Sequence, residues 1–343
     1  MTGLERVLKT LAGDAADHTP VALHNFLMAA KMLELPFDKY VSSGKLLAKA
    51  QIHSWEIFRH DMLMVENGVA AMAQAIGCKV ACTSDQPPHV EKPLLESLDD
   101  VEDLRIPEPE NTFPLYEMLE AVRLIKNHVR NQAFVIGRAD QGPMALAFAL
   151  YGPERLVLDI ASGENSVQVH KLLDFCTRCT MRYATSLQKA GADGTCIGGC
   201  GLSMSSPAIF REYELPYQQM FVSHCHKNSF LTGVHFCGHE DHILDDMVAS
   251  GADWLELDPL TSPHAAALAS HNRCAILGMI DPVSTLLDST AKQVQEECSR
   301  RLKQMQMSGC RFILGPGCAL PPSCPQENIK AMMAVAQSHA NPA

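Results

Sequence analysis

From Phe134 onward the chain alternates short β-rich runs with longer amphipathic stretches, and this alternation constrains the fold more than any other feature. The runs lie at 134–138, 194–197, 231–236, 254–257, 274–279 and 311–314, and helical patterns fill 167–190, 207–228, 240–250, 263–271 and 290–308 between them. Strand, helix, strand repeated in this way is the pattern of a parallel sheet, because parallel neighbours can be joined only by a long crossover. Earlier strands at 20–23 and in the region from 62–65 to 78–82 bring the total to about the eight that a closed barrel requires.

An open, doubly wound sheet competes with the barrel. The distribution of polar residues and glycines decides between them. They gather at the carboxyl ends of several different runs: Arg138 with Asp140, Gly198-Gly199-Cys200, His235 with Cys237, Asp258-Pro259, Asp281-Pro282 and Gly315-Pro316-Gly317-Cys318. A site assembled from many strand ends belongs to a barrel, so the expected fold class is α/β, a (β/α)8 TIM barrel with an N-terminal helical extension. The first sixty or so residues read as mainly helical, with a turn at Leu35-Pro36-Phe37. Residues 84–114, rich in Pro, Asp and Glu, read as a long surface excursion. With no internal repeat or low-complexity tract, one domain over 1–343, with 1–60 as the helical extension, is the economical division.

A net charge of −11 with dispersed Lys and Arg argues against a nucleic-acid partner, since a phosphate backbone would be repelled. No apolar stretch is long and charge-free enough to span a bilayer, so no membrane partner is expected. Thirteen cysteines without a secretory signal point to a reducing compartment, and the expected location is cytoplasmic.

Among the strand-end residues, His235, Cys237 and Cys318 carry the sharpest chemistry. His235 and Cys237 are one residue apart, so on a strand they point to the same side and can grip one ion together, while the fold must bring in Cys318. An imidazole and two thiolates form a zinc site, and three protein ligands leave one position open, as in catalytic rather than structural zinc. Against this, a chain with 15 His and 13 Cys contains His-x-Cys by chance, and free cysteines are often small buried hydrophobes. The flanking glycines and apolar runs, 230–234 before one half and 312–314 before the other, favour the ligand reading.

Asp258, Glu256, His239 and Cys324 are the candidates for a fourth ligand or a supporting partner. Glu256 and Asp258 are spaced to face the same way, though Asp258 before Pro259 also suits a strand-end cap. Cys176 and Cys179 have redox-motif spacing but fall within a helical pattern, where two helix-face thiols are the plainer reading. Cys196 and Cys200 flank a glycine pair near the expected pocket, and small-residue packing is the main alternative to a role in the site. Arg138 and Asp140 are read as an internal ion pair ahead of an anion clamp, and the methionines as core filler.

Several of these segments together resemble the uroporphyrinogen decarboxylase-like superfamily, and within it the zinc-dependent methylcobamide:coenzyme M methyltransferase branch. Carrying the resemblance are Gly142-Pro143-Met144 with Tyr151-Gly152-Pro153-Glu154, Ser206-Pro207 with Leu215-Pro216-Tyr217, His235-Phe236-Cys237-Gly238, Gly251-Ala252-Asp253, and Gly315-Pro316-Gly317-Cys318 leading to Pro325-Gln326-Glu327-Asn328. The resemblance spans nearly the whole chain. It implies a (β/α)8 barrel and a zinc ion held by His235, Cys237 and Cys318. The decarboxylase branch relies instead on an arginine-rich amino-terminal segment, and the comparable stretch 21–30 contains no arginine. An acidic chain without that arginine set is poorly suited to clamping a polycarboxylate. One departure stands inside the methyltransferase branch: Gln74 occupies a position where relatives carry glutamate, so the acceptor here need not be theirs.

The implied chemistry is methyl transfer from methylcobalamin, or a related corrinoid, to a small acceptor, a thiol such as coenzyme M, activated as a zinc thiolate. The chain lacks the Asp-x-His-x-x-Gly cobalamin signature, so the corrinoid would arrive on a separate carrier protein. Two other readings stand beside it: action on a methylated donor substrate or tetrahydrofolate, and a non-catalytic barrel that binds a corrinoid or metal.

Overall fold

The computed structural model describes residues 1–271 and 273–339. Among these, eight parallel strands form one sheet: β1 (Ala22–Leu23), β2 (Met62–Val65), β3 (Phe134–Gln141), β4 (Gly194–Gly199), β5 (Leu231–Phe236), β6 (Trp254–Leu257), β7 (Ala275–Ile280) and β8 (Phe312–Pro316). Each strand pairs with its sequence neighbour. The sheet closes where Leu314 donates its N–H to the Pro20 carbonyl at 2.9 Å and bridges Val21. Closure satisfies both edges, and the open-sheet alternative is excluded. No helix among the described residues is long and apolar enough to cross a membrane.

The strand at 20–23 is real but short, and it lies between the helices Gly3–Ala12 and Phe26–Met32. Residues 78–82 stay outside the barrel. Val80–Ala81 pairs antiparallel with His89–Val90, because the seven residues between them, including Pro87-Pro88, are too few for a parallel crossover.

Side chains pointing into the lower barrel form an apolar plug of Ala22, Met62, Met64, Phe134, Ile136, Cys196, Trp254, Ala275, Leu277 and Ile313. The helix Gly3–Ala12 seals it from below with Val7 and Leu11. That helix begins at a reciprocal cap between Thr2 and Glu5 and ends at Gly13 in the left-handed region. Arg6 pairs with Asp17 and Asp61, fixing the seal to the start of β2. Trp254 fits only because its neighbour on β5 is Gly233: a Cβ there would stand 2.1 Å from the indole Nε1. With its lower half filled, the barrel offers a site only at the carboxyl end.

The pattern at 207–228 reads as one helix but forms two, Pro207–Tyr213 and Leu215–Lys227, broken at Glu214 (φ −123°, ψ −53°). Pro216 lacks an N–H and its ring collides with the preceding turn, so the helix restarts. The fully buried Glu214 carboxylate accepts the Met144 N–H at 3.2 Å and the Gln218 amide at 2.8 Å. Burial outweighs these bonds and raises its pKa from 4.5 to about 7. A raised carboxyl pKa means that the folded chain holds the proton more tightly than the unfolded one. Stability is therefore highest below pH 4.5, falls as pH rises to 7, and carries the full cost above that. Glu214→Gln keeps the shape and removes the charge. We expect it to exceed the wild type at pH 8 by on the order of 2 kcal/mol and to converge with it near pH 5. Equal differences at both pH values in thermal denaturation would refute this account.

Candidate metal centre

β5 delivers His235 and Cys237 to the carboxyl rim on one side, and the turn after β8 delivers Cys318 beside them. His235 Nε2 lies 3.2 Å from Cys237 Sγ and 3.8 Å from Cys318 Sγ, and the two sulfurs are 3.7 Å apart. The three ligand atoms all fall within 4.8 Å of one another. Tetrahedral zinc, with bonds of about 2.3 Å to sulfur and about 2.0 Å to nitrogen, spans edges of about 3.8 Å between sulfurs and about 3.5 Å from sulfur to nitrogen. Donor type and spacing both suit one such ion.

The charges agree with this fit. As protein groups alone, Cys318 is drawn down to about 3, first by its hydrogen bond with Cys237 and then, against burial, by His235. Burial opposes charge on His235, yet Glu256 and Cys318 raise it to about 9. Hydrogen bonds with Cys200 and Cys318 push Cys237 far up. These shifts favour an anionic sulfur beside a cationic ring, and a divalent cation bound there would take over the positive charge and release protons.

Below the cluster runs a buried ladder of charges. Glu256 is fully buried, and its Oε2 accepts from Arg138 Nη1 at 2.9 Å and lies 3.7 Å from His235 Nδ1. The Glu256 backbone oxygen stands 3.2 Å from the same Nδ1. Both contacts leave Nε2 of His235 aimed at the sulfurs. Arg138 Nε also reaches Glu66 at 3.2 Å, and His24 bridges Glu66 at 3.2 Å and Glu256 at 3.6 Å. Burial alone would raise Glu256, but Arg138 and the two histidines hold it at about 2. The cluster opens on a cavity of about 380 Å³ that His24, Glu66, Arg138 and Asp140 line together with the apolar Phe26, Leu27, Pro88 and Leu320.

The candidate supporting residues fare unevenly. Glu256 meets His235, as its spacing suggested. Asp258 is the strand-end cap, accepting the Leu260 N–H at 3.0 Å. His239 is exposed and pairs with Asp241, because the chain has already left the barrel there. Cys324 is buried away from the cluster, donating to the Leu286 carbonyl at 3.1 Å. Cys176 and Cys179 are buried in the helix Ser166–Lys189. Gln74 lines a separate pocket with Val80 and Pro114, so the departure from the branch pattern lies outside the metal cavity.

Arg138 is in an internal ion pair, but with Glu66 and Glu256 rather than Asp140. A bulge between β3 and β4 and a left-handed Asp140 (φ +69°) turn that carboxylate to the Met72 N–H instead. Cys196 is buried, 3.7 Å from Glu256 Oε2. Cys200, one step beyond the Gly199–Phe236 pair in the β4–β5 register, lines the cavity together with Cys237. Sequence reasoning passed over His24 and Glu66. Each directly follows a short strand, the same strand-end position that marked the others.

The sequence matches the uroporphyrinogen decarboxylase (URO-D) family over residues 2–339. The chain belongs to that family. A methylcobamide:CoM methyltransferase, MtaA, of Methanosarcina barkeri is 24% identical, with 96% of each chain covered. A uroporphyrinogen decarboxylase of Coxiella burnetii is also 24% identical, over 97% of this chain and 94% of that one. Overall identity therefore does not separate the two activities, and the side chains of the site must. Among solved structures, a methyltransferase from Methanosarcina mazei superposes with a TM-score of 0.88 at 23% identity, covering 98% of both chains.

Proposed function

We propose that this protein is a zinc-dependent methyltransferase that passes a methyl group from a methylated corrinoid, presented by a separate carrier protein, to a small thiol. The observation that carries this reading is the meeting of His235 Nε2, Cys237 Sγ and Cys318 Sγ at the base of an open cavity. The ion would be held by these three groups, with His235, Cys237 and Cys318 as the catalytic set. Zinc bound there lowers the pKa of a fourth, incoming thiol and keeps it as a nucleophilic thiolate.

The protein's own part is positioning. Glu256 holds His235 in the orientation that presents Nε2, and the apolar wall of Phe26, Leu27 and Leu320 excludes water around the reacting sulfur. In the transfer, the thiol proton leaves to solvent, an S–CH3 bond forms as Co–CH3 breaks, and the bonding pair stays on cobalt, taking Co(III) to Co(I). Decarboxylation of a porphyrinogen is disfavoured by the same cavity. Arg138 is the one Arg or Lys among its lining residues, and two carboxylates already occupy it. The name of the Methanosarcina barkeri relative, which includes CoM, supports a thiol over tetrahydrofolate as the acceptor class.

Purified protein is expected to contain about one zinc per chain and to demethylate free methylcobalamin only when a thiol is added, followed by the change in corrinoid absorbance. Zinc content without any thiol-dependent turnover would overturn the transfer reading and leave a binding barrel.

A further inference from the structure

Among the described residues, which include all thirteen cysteines, Cys200 alone is exposed. It lines the metal cavity with Cys237 and Cys318 but stands outside the cluster of three ligand atoms, so an ion held as proposed leaves its sulfur unbound. The fold sets Cys200 beside Cys237. The parallel register of β4 and β5 ends at Gly199 and Phe236, and each cysteine is the next residue along its chain. Close contacts bracket the pair on both sides. Before it, a Cβ on Gly199 would stand 2.3 Å from the Phe236 ring, and beyond it a Cβ on Gly238 would stand 2.5 Å from Ser203 Oγ. Neighbouring strands run about 4.8 Å apart, within the roughly 4.4–6.8 Å between Cα atoms that a disulfide spans. Both chains then turn at once on a left-handed glycine, Gly201 (φ +85°) and Gly238 (φ +104°), and the freedom of these residues lets the two rims shift to close a bond.

We propose that Cys200 and Cys237 form a reversible oxidation site, at which a peroxide joins them as a disulfide and takes one ligand from the zinc. Exposure makes Cys200 the sulfur that reacts first. It attacks one peroxide oxygen, the O–O bond breaks, water leaves and Cys200 becomes a sulfenic acid. The Cys237 sulfur then attacks that of Cys200, an S–S bond forms as S–O breaks, and hydroxide leaves. In sum the two sulfurs give two electrons to one peroxide, which departs as two waters with protons from the Cys200 thiol and from solvent. His235 and Cys318 alone then face the ion, and a site reduced to two protein ligands releases it. A thiol reductant reverses the step by exchange. The zinc reading underlies the consequence of this oxidation, whereas the disulfide itself forms with or without the metal.

The test treats the zinc-loaded protein with hydrogen peroxide and follows zinc release with a chromogenic chelator, while peptide mapping without reduction identifies the linked cysteines. We expect a Cys200–Cys237 peptide pair to accumulate as zinc leaves, and a reductant with added zinc to restore the metal content. Cys200→Ser keeps all three proposed ligands. It should bind as much zinc as the wild type and release it about tenfold more slowly under peroxide, since the cavity thiols that remain are then metal-bound. The rival route is direct oxidation of the ligand pair, whose sulfurs lie 3.7 Å apart. A Cys237–Cys318 link, with Cys200→Ser losing zinc as fast as the wild type, overturns the inference and leaves the zinc site standing. Zinc loss with no disulfide at Cys200 overturns it as well. A protein that holds no zinc would sink the proposed function, while the mapped disulfide would still decide the oxidation site. Should Cys200→Ser fail to fold, the wild-type peptide map decides.

Discussion

If zinc sits as proposed, Cys318→Ala is expected to reduce zinc content from about one ion per chain to a small fraction and thiol-dependent demethylation by on the order of 10³-fold, because it would remove one of the three proposed ligands, a thiolate, and a third of the ion's protein contacts. Cys318 stands in the turn after β8, half-buried on the rim, and makes no contact with the apolar plug. Its loss should therefore leave the fold intact, with metal-free variant and metal-free wild type melting within a few degrees of one another. Cys324→Ala is the matched control. It lies six residues further on, buried against the Leu286 carbonyl, and should cost some stability and no zinc. His235→Ala and Cys237→Ala should behave as Cys318→Ala does, since all three atoms share one locus. Full zinc occupancy in any of the three, measured by metal analysis after dialysis, would show that the ion sits elsewhere.

The barrel was legible in the sequence because its strands are short apolar runs separated by helical periods, and the meeting of His235, Cys237 and Cys318 because each lies at or just past the end of such a run. What escaped was set by tertiary geometry. His24 and Glu66 stand just past the runs at 20–23 and 62–65, but nothing in the residue types there says which partners they meet, and only closure of the sheet carries His24 to Glu256 and Glu66 to Arg138. Arg138 and Asp140 are two apart and read as partners on one face. A bulge and a positive φ at Asp140 part them, and neither leaves a mark in residue type. Asp258 and Glu256 show the converse. Identical spacing put both inward, but the strand ends at Leu257, so Glu256 faces the ladder and Asp258 turns back to cap the next residues. Pattern gives the direction of a side chain only while the regular backbone lasts.

The ladder itself sets the second large effect. Arg138→Met removes the cation that holds two buried carboxylates, and breaking a buried pair from one side costs about 3–5 kcal/mol because the partner charge is stranded. Burial works to raise Glu256, and Arg138 is the leading influence that holds it at about 2. The stability that the depressed pKa provides is present above pH 4.5 and lost as pH falls toward 2. In urea denaturation the deficit of Arg138→Met should accordingly be largest at pH 7 and shrink by pH 4, as the stranded carboxyls take up protons. Adding Glu256→Gln to Arg138→Met removes one stranded charge, so the double variant should regain about 2 kcal/mol or more at pH 7, a coupling typical of directly paired groups. Loss of packing alone would give a deficit indifferent to pH and to the second change. The same double variant tests the link to the metal. His235 keeps the Glu256 backbone oxygen at 3.2 Å but loses the carboxylate 3.7 Å from Nδ1, so zinc affinity should fall by about 10–100-fold even where stability is restored.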